Sequence, residues 1–140
     1  MVKIVQKEEP ILHQPAKEVP TELFGNAKLK KIINEMSSAL AKEDDGVALA
    51  APQIGKSLRI FVVSGKIFTS RETPAFAESS GEVRKIKPDL VFINPTITSL
   101  SKTKEEMEEG CLSVRWYYGL VKRSTKVTVS AYDKIGRAHV

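Results

Sequence analysis

The residues best suited to chemistry in this chain lie in two short motifs that are far apart in the sequence. Residues 46–53 read GVALAAPQ, and residues 109–113 read EGCLS and contain the only cysteine, Cys111. A cysteine thiolate can ligate a catalytic metal ion, but a catalytic site of the zinc type takes three protein ligands and a water. Without its motif, Cys111 would more often be a small buried apolar residue than a metal ligand, and Gln53 would be a surface amide. The motifs therefore provide one metal ligand at most, and they need partners.

The partners that would complete such a site do not stand out in the sequence. The chain has two histidines, His13 and His139. Neither belongs to a His-Glu-x-x-His pattern, which would bring two imidazoles one helical turn apart to a single metal. We interpret His13 as a surface residue or a local hydrogen-bonding group. A thiolate without imidazoles or a general base predicts weak metal binding and no hydrolytic activity from these residues alone.

The composition predicts one soluble globular domain. The 140 residues are 41% hydrophobic and 28% charged, and the net charge is +5. No apolar run could cross a bilayer, and the N-terminus lacks the features of a secretory signal, so neither a membrane nor export is expected. A single cysteine cannot form an internal disulfide, which predicts a reducing cytoplasm. The lysines are scattered and not interleaved with aromatic residues, so specific nucleic-acid binding is not predicted.

The elements that must position the motifs follow an α+β pattern, with one early helix and then a run of strands. A helix is predicted at residues 27–41, with Leu29, Ile32, Ile33, Met36, Ala39 and Leu40 on one face. Strands are predicted at residues 2–5, 58–64, 90–94, 103–110, 117–122 and 126–132. Residues 96–100 either continue the strand at 90–94 or turn away from it. Residues 11–19 read as an extended segment and residues 65–88 as a long loop.

The order and content of the two motifs resemble the peptide deformylase family. That family carries G-Φ-G-Φ-A-A-x-Q, then E-G-C-L-S, then H-E-x-x-H on a C-terminal helix. Residues 11–19, 91–95 and 127–133 are also similar to the segments between these motifs. The resemblance implies a deformylase-like α+β domain of mostly antiparallel strands over residues 1–134, without the metal-binding C-terminal helix.

The resemblance implies metal-dependent hydrolysis of the N-formyl group from the N-terminal methionine of newly synthesised proteins. Cys111 would be a metal ligand, and the side-chain amide of Gln53 and the backbone N–H of Leu112 would face the oxyanion. The backbone around Val47, with the neighbouring Gly46 and Ala48 and with Gly110, would pair with the peptide as an added strand. The implied metal is iron(II), with zinc, nickel or cobalt as other occupants. The implied partners are formylated nascent peptides, in proximity to the ribosome.

The chain departs from the family pattern in two places. Ala48 stands where the family has its second glycine, and its methyl group would narrow the substrate channel. Residues 115–118 read RWYY where the family often has proline and smaller residues. This aromatic run either walls the site or packs into the domain, and packing is the favoured interpretation.

The end of the chain suggests a cause for the missing motif. Residues 135–140 read IGRAHV, which one frame of a common sequencing-library adapter encodes, so we predict a non-native tail after a truncated reading frame. Without the C-terminal helix, an apolar patch is expected at Val47, Leu49, Cys111 and Val129. Two alternatives remain, a non-catalytic peptide-binding module or deformylase paralogue, and a basic ribosome-surface protein whose binding falls steeply with salt.

Overall fold

A computed structural model describes residues 2–68 and 87–140 of the chain. The predicted loop at 65–88 falls mostly outside the described residues, which leave out 69–86. The long helix α1 spans Ala27–Ala41, and short 3-10 helices span Pro10–His13, Thr21–Leu23 and Ala51–Ile54. The strands are β1 Ala48–Ala50, β2 Ile60–Val63, β3 Leu90–Leu100, β4 Lys104–Cys111, β5 Val114–Ser124, β6 Val127–Tyr132 and β7 Ala138–His139. The predicted α+β class is confirmed.

Helix α1 forms at the predicted residues and buries the predicted face. The Asn26 side chain caps its N-terminus by accepting a hydrogen bond from the Lys28 N–H at 2.9 Å. All six apolar residues of the predicted face are buried, and Met36 is 0% exposed. They form the hydrophobic core with residues from β1, β2 and β3. Helix α1 therefore anchors the strand that carries the first motif.

Five strands form one antiparallel sheet in the order β1-β2-β3-β6-β7. Strand β3 continues past Asn94-Pro95 through irregular pairing with β6 between Ile93 and Thr96. Asn94 has a positive φ of 50°, which asparagine tolerates better than most residues. Its side chain accepts a hydrogen bond from the Val19 N–H at 2.7 Å and donates one to the Val19 oxygen at 3.0 Å. These two hydrogen bonds attach the N-terminal segment at Val19 to strand β3.

The second motif lies on a separate two-stranded ribbon formed by β4 and β5. Cys111 pairs with Val114, so Leu112 and Ser113 form a two-residue turn at the tip. The next pair is Gly110 with Tyr118, which leaves residues 115–117 as a bulge on β5. The Leu112 side chain is 8% exposed and belongs to the core around α1. The turn therefore inserts into the domain while the ribbon extends from it.

Two predicted extended segments are wrong in detail. Residues 2–5 form no strand; the Val5 N–H instead donates to the Gln53 backbone oxygen at 2.8 Å. Residues 11–13 belong to the 3-10 helix Pro10–His13, because a proline is tolerated in the first turn of a helix although it discourages helix before it. The prediction that residues 135–140 are non-native stays a prediction. Strand β7 pairs with β6 only at residues 138 and 139. Backbone hydrogen bonds of this kind form whatever the side chains are, so the pairing does not test the prediction.

Candidate active site

A cleft of about 320 Å³ lies where the ribbon tip meets β1 and the Ala51–Ile54 helix. One side carries Val47, Ala48 and Gln53, and the other carries Gly110, Cys111 and Leu112 together with residues 114–118. The two motifs, distant in sequence, therefore line one cavity. Six of the seven predicted site residues line this cleft, and Gly46 lies beside it in the chain, between the lining residues Asp45 and Val47.

Gln53 connects the two sides of the cleft. Its Oε1 accepts a hydrogen bond from the Ala50 N–H at 2.9 Å, which fixes the amide orientation. Its Nε2 then donates to the Ser113 Oγ at 3.0 Å and lies 3.8 Å from the Cys111 Sγ. Ser113 is 3% exposed, so this hydrogen bond is protected from competing water. An amide held in this way is a suitable hydrogen-bond donor for an oxyanion formed beside the thiol.

Cys111 is the last residue of β4 and its free thiol is exposed. The alternative that Cys111 is a buried apolar residue is therefore wrong. The neighbouring Leu112 is held from two directions, by burial of its side chain and by the Gln6 Nε2, which donates to its carbonyl oxygen at 3.2 Å. The backbone next to the thiol is thus fixed by contacts made within the chain.

Strand β1 offers an open edge along the cleft. Among the described residues it pairs with β2 on one side only, which leaves the other edge available to an added strand. Val47 and Ala48 are exposed, whereas Gly46 is buried. A Cβ at Gly46 would lie 2.9 Å from the Leu40 Cδ1, so close packing against α1 favours glycine there. Ala48, which stands where the family has its second glycine, lines the cleft. The narrowing of the channel by its methyl group stays a prediction.

The predicted apolar patch is confirmed only in part. Val47 is 55% exposed and Cys111 is exposed. Leu49 is 1% exposed, because alternation along β1 turns it to the opposite face, into the core. Val129 is only half-buried.

The aromatic run after the cysteine does not pack into the domain. Trp116, Tyr117 and Tyr118 are 82%, 69% and 59% exposed and line the cleft. The favoured packing interpretation is therefore wrong, because the bulge on β5 turns these rings outward. Arg115 forms ion pairs with Glu43 and with Asp45, the latter at 3.4 Å. Desolvation opposes the charged form, but hydrogen bonds and attraction to the two carboxylates raise the pKa of Arg115 on balance.

The described residues do not fit a metal ion by themselves. No group of three histidine, cysteine, aspartate or glutamate side chains within 2–68 and 87–140 is placed to hold one. The His13 Nε2 lies 2.6 Å from the Lys7 oxygen, and the His139 Nε2 lies 2.8 Å from the Asp133 Oδ2. Both imidazoles are thus engaged elsewhere. The cleft is lined by two metal-type donors, the Cys111 thiol and the Asp45 carboxylate, and Asp45 is already paired with Arg115.

Fold and site together describe an α+β domain in which a cysteine at a ribbon tip faces a glutamine beside an open strand edge. A family model described as polypeptide deformylase matches residues 1–140, and the chain belongs to the peptide deformylase family. Members of this family are hydrolases that use a divalent metal.

Sequence relatives and a solved structure agree with this family. The chain is 35% identical to the chloroplastic peptide deformylase 1A of Solanum lycopersicum, over 99% of the chain and 49% of that protein. It is 36% identical to peptide deformylase 1 of Nitrosomonas europaea, over 97% of the chain and 70% of that protein. The Met-Ala-Ser-bound class I type b enzyme of Acinetobacter baumannii superimposes with a TM-score of 0.79 at 27% identity, over 99% and 81%. The chain spans about half the length of the plant relative.

Sequence reasoning missed several residues that shape the cleft. Gln6 carries no sequence signal, because its role depends on a contact with Leu112 that is distant in the chain. Glu43 and Asp45, just before the first motif, carry no local sequence signal of a role in the cleft. Their pairing with Arg115 requires the ribbon tip to fold back beside α1.

Proposed function

We propose that this protein removes the N-formyl group from the N-terminal methionine of newly synthesised chains by metal-dependent hydrolysis. Membership of the deformylase family supports the reaction class. The observation that carries the proposal is the position of the Gln53 amide, which is anchored by the Ala50 N–H and lies 3.8 Å from the Cys111 thiol. A neutral amide donor stabilises negative charge on the attacked formyl group without competing for a metal.

The positions of the site residues in the cleft support the roles proposed for them. The Gln53 Nε2 and the Leu112 N–H would donate to the oxyanion. The open edge of β1 at Ala48, together with Gly46 and Val47 just before the strand, would pair with the peptide backbone, and Gly110 lines the cleft from the ribbon. The related Acinetobacter baumannii enzyme was crystallised with Met-Ala-Ser bound. The substrates proposed here are likewise short N-terminal segments of formylated nascent peptides, encountered in the cytoplasm near the ribosome.

The proposed metal is iron(II), with zinc, nickel or cobalt as other occupants, and Cys111 would supply one ligand. The described residues do not supply the other two protein ligands or a general base. We therefore propose that the 140 residues bind metal weakly and are inactive alone. On this account, residues 1–134 form the deformylase-like domain, and residues 135–140 are not part of it.

The test measures formate release from formyl-Met-Ala-Ser. We expect the purified chain with added iron(II) to release no formate above a buffer control, and release above that control would contradict the proposed inactivity. An extended protein that carries a His-Glu-x-x-His helix after residue 134 should hydrolyse the peptide. In that protein, replacing Gln53 by alanine should lower kcat about 10²- to 10³-fold, and an unchanged kcat would remove the proposed role of Gln53.

A second function, peptide binding without cleavage, is favoured by two observations. The β1 edge is open to an added strand, and the described residues supply too few metal ligands for hydrolysis. Calorimetry with formyl-Met-Ala-Ser separates the two functions when it is run with iron(II) and again with a chelator. A pure binding module should give the same Kd in both. A deformylase site whose metal contacts the formyl group should bind more tightly when metal is present.

A further inference from the structure

The roles proposed for Gln53, Leu112 and the β1 edge do not explain the position of Arg115. It lies at the start of the β5 bulge, where residues 115–117 have no partners on β4. Its guanidinium forms ion pairs with Glu43 and Asp45, both in the loop between α1 and β1. The same guanidinium lies 5.6 Å from the centre of the Trp116 ring, within the range of a cation–π contact. Arg115 thus connects the two chain segments that border the cleft.

The bulge needs such a connection. Trp116 has a φ of 69°, in the left-handed region that a bulky residue rarely adopts. A residue in this conformation persists only where surrounding contacts hold it. Trp116 is 82% exposed, so burial of its own ring does not supply those contacts. The Arg115 side chain is 24% exposed and the Glu43 side chain 29%, so this ion pair is partly shielded from water.

The bulge in turn forms a wall of the cleft. Trp116 and Tyr118 line the cavity that also contains Val47 and Cys111. A peptide paired with the β1 edge would lie between Val47 and these rings. Aromatic rings offer a large rigid contact area, and they gain further energy from edge-to-face or offset stacking with a second ring.

We propose that Arg115 is a positioning residue that holds Trp116 as a fixed wall of the cleft, and that this wall favours peptides with an aromatic residue after the N-terminal methionine. The peptide preference rests on the proposed function of the cleft. The ordering of the wall by Arg115 does not depend on it. The two parts can therefore be tested separately in the same protein.

The first measurement uses the chain without peptide. Trp116 is the only tryptophan, so time-resolved fluorescence anisotropy reports on this ring alone. Changing Glu43→Gln and Asp45→Asn together keeps the Arg115 side chain but removes both of its charged partners. We expect the fast local component of the anisotropy decay to grow about twofold. The matched control is Asp44→Asn, an exposed carboxylate between the two that forms no ion pair among the described residues.

The second measurement compares the Kd of formyl-Met-Phe-Ser with that of formyl-Met-Ala-Ser, using Trp116 emission and calorimetry. The unaltered chain should bind the phenylalanine peptide about two- to tenfold more tightly. The double variant and Arg115→Lys should lose most of this preference, since lysine lacks the planar fork that pairs two carboxylates. Asp44→Asn should retain it.

The outcomes separate the proposals. If the double variant shows unchanged anisotropy and an unchanged peptide preference, while circular dichroism shows it folded, the role of Arg115 is refuted. If the unaltered chain binds both peptides equally, the preference is refuted but the proposed function stands. If it binds neither peptide, the preference is refuted for this chain, and formate release by the extended protein decides the proposed function separately. The anisotropy then still decides whether Arg115 orders the wall.

Discussion

Replacing Gln53 by leucine should destabilise the domain, because this side chain hydrogen-bonds on both sides of the cleft. The substitution removes the hydrogen bonds with the Ala50 N–H at 2.9 Å and with the Ser113 Oγ at 3.0 Å. Each neutral hydrogen bond contributes about 1 kcal/mol net. Ser113 is 3% exposed, and leaving its hydroxyl without this partner costs about 1 kcal/mol more. The expected loss in the free energy of unfolding is therefore about 3 kcal/mol.

Equilibrium urea unfolding, followed by circular dichroism and Trp116 fluorescence, measures this loss. The control is Gln14→Leu, an exposed amide whose side chain makes no hydrogen bond within the described residues. Its effect should stay within about 0.5 kcal/mol. A double-mutant cycle with Ser113→Ala isolates the cross-cleft hydrogen bond, and the coupling should be about 1 kcal/mol. A coupling below about 0.3 kcal/mol, or a loss for Gln53→Leu no larger than that of the control, would refute the proposed tether.

Two further predictions concern the core and the ribbon. Met36→Ala should lower the free energy of unfolding by about 2–5 kcal/mol in urea, because Met36 is 0% exposed. The control Met107→Ala, at a residue that is 55% exposed, should change it little. Equal losses in the two variants would contradict the assigned core. The hydrogen bond from Arg123 lowers the pKa of Glu109; their charge attraction lowers it further, and desolvation opposes both. The ion pair therefore stabilises the ribbon fully at pH values above the ordinary glutamate pKa. This contribution should be lost as the pH falls through the lowered pKa. Hydrogen exchange of the β4 and β5 amides should therefore show that the ribbon loses protection in acid. The Arg123→Ala variant, which lacks the ion pair, should lose less protection over the same pH range. An identical acid profile in the unaltered chain and the variant would refute the assignment.

Local patterns determined much of this protein. The helix at Ala27–Ala41 could be predicted to the residue, because helical spacing of apolar side chains and a turn after them are both local signals. Strands β2 and β6 were likewise evident from β-branched and alternating residues. The family was evident from two motifs whose residue types are tied to a particular chemistry, and the match over residues 1–140 confirms it.

Tertiary structure alone decided how the cleft is assembled. The alternation that identifies a strand does not identify its neighbours, so the separation of the β4–β5 ribbon from the main sheet was not visible in the sequence. The bulge at residues 115–117 exposes three aromatic rings that composition would place inside. The contacts of Gln6 with Leu112, of Gln53 with Ser113 and of Arg115 with Glu43 join residues far apart in the chain. Such contacts depend on the path of the backbone between them, and no local spacing encodes that path.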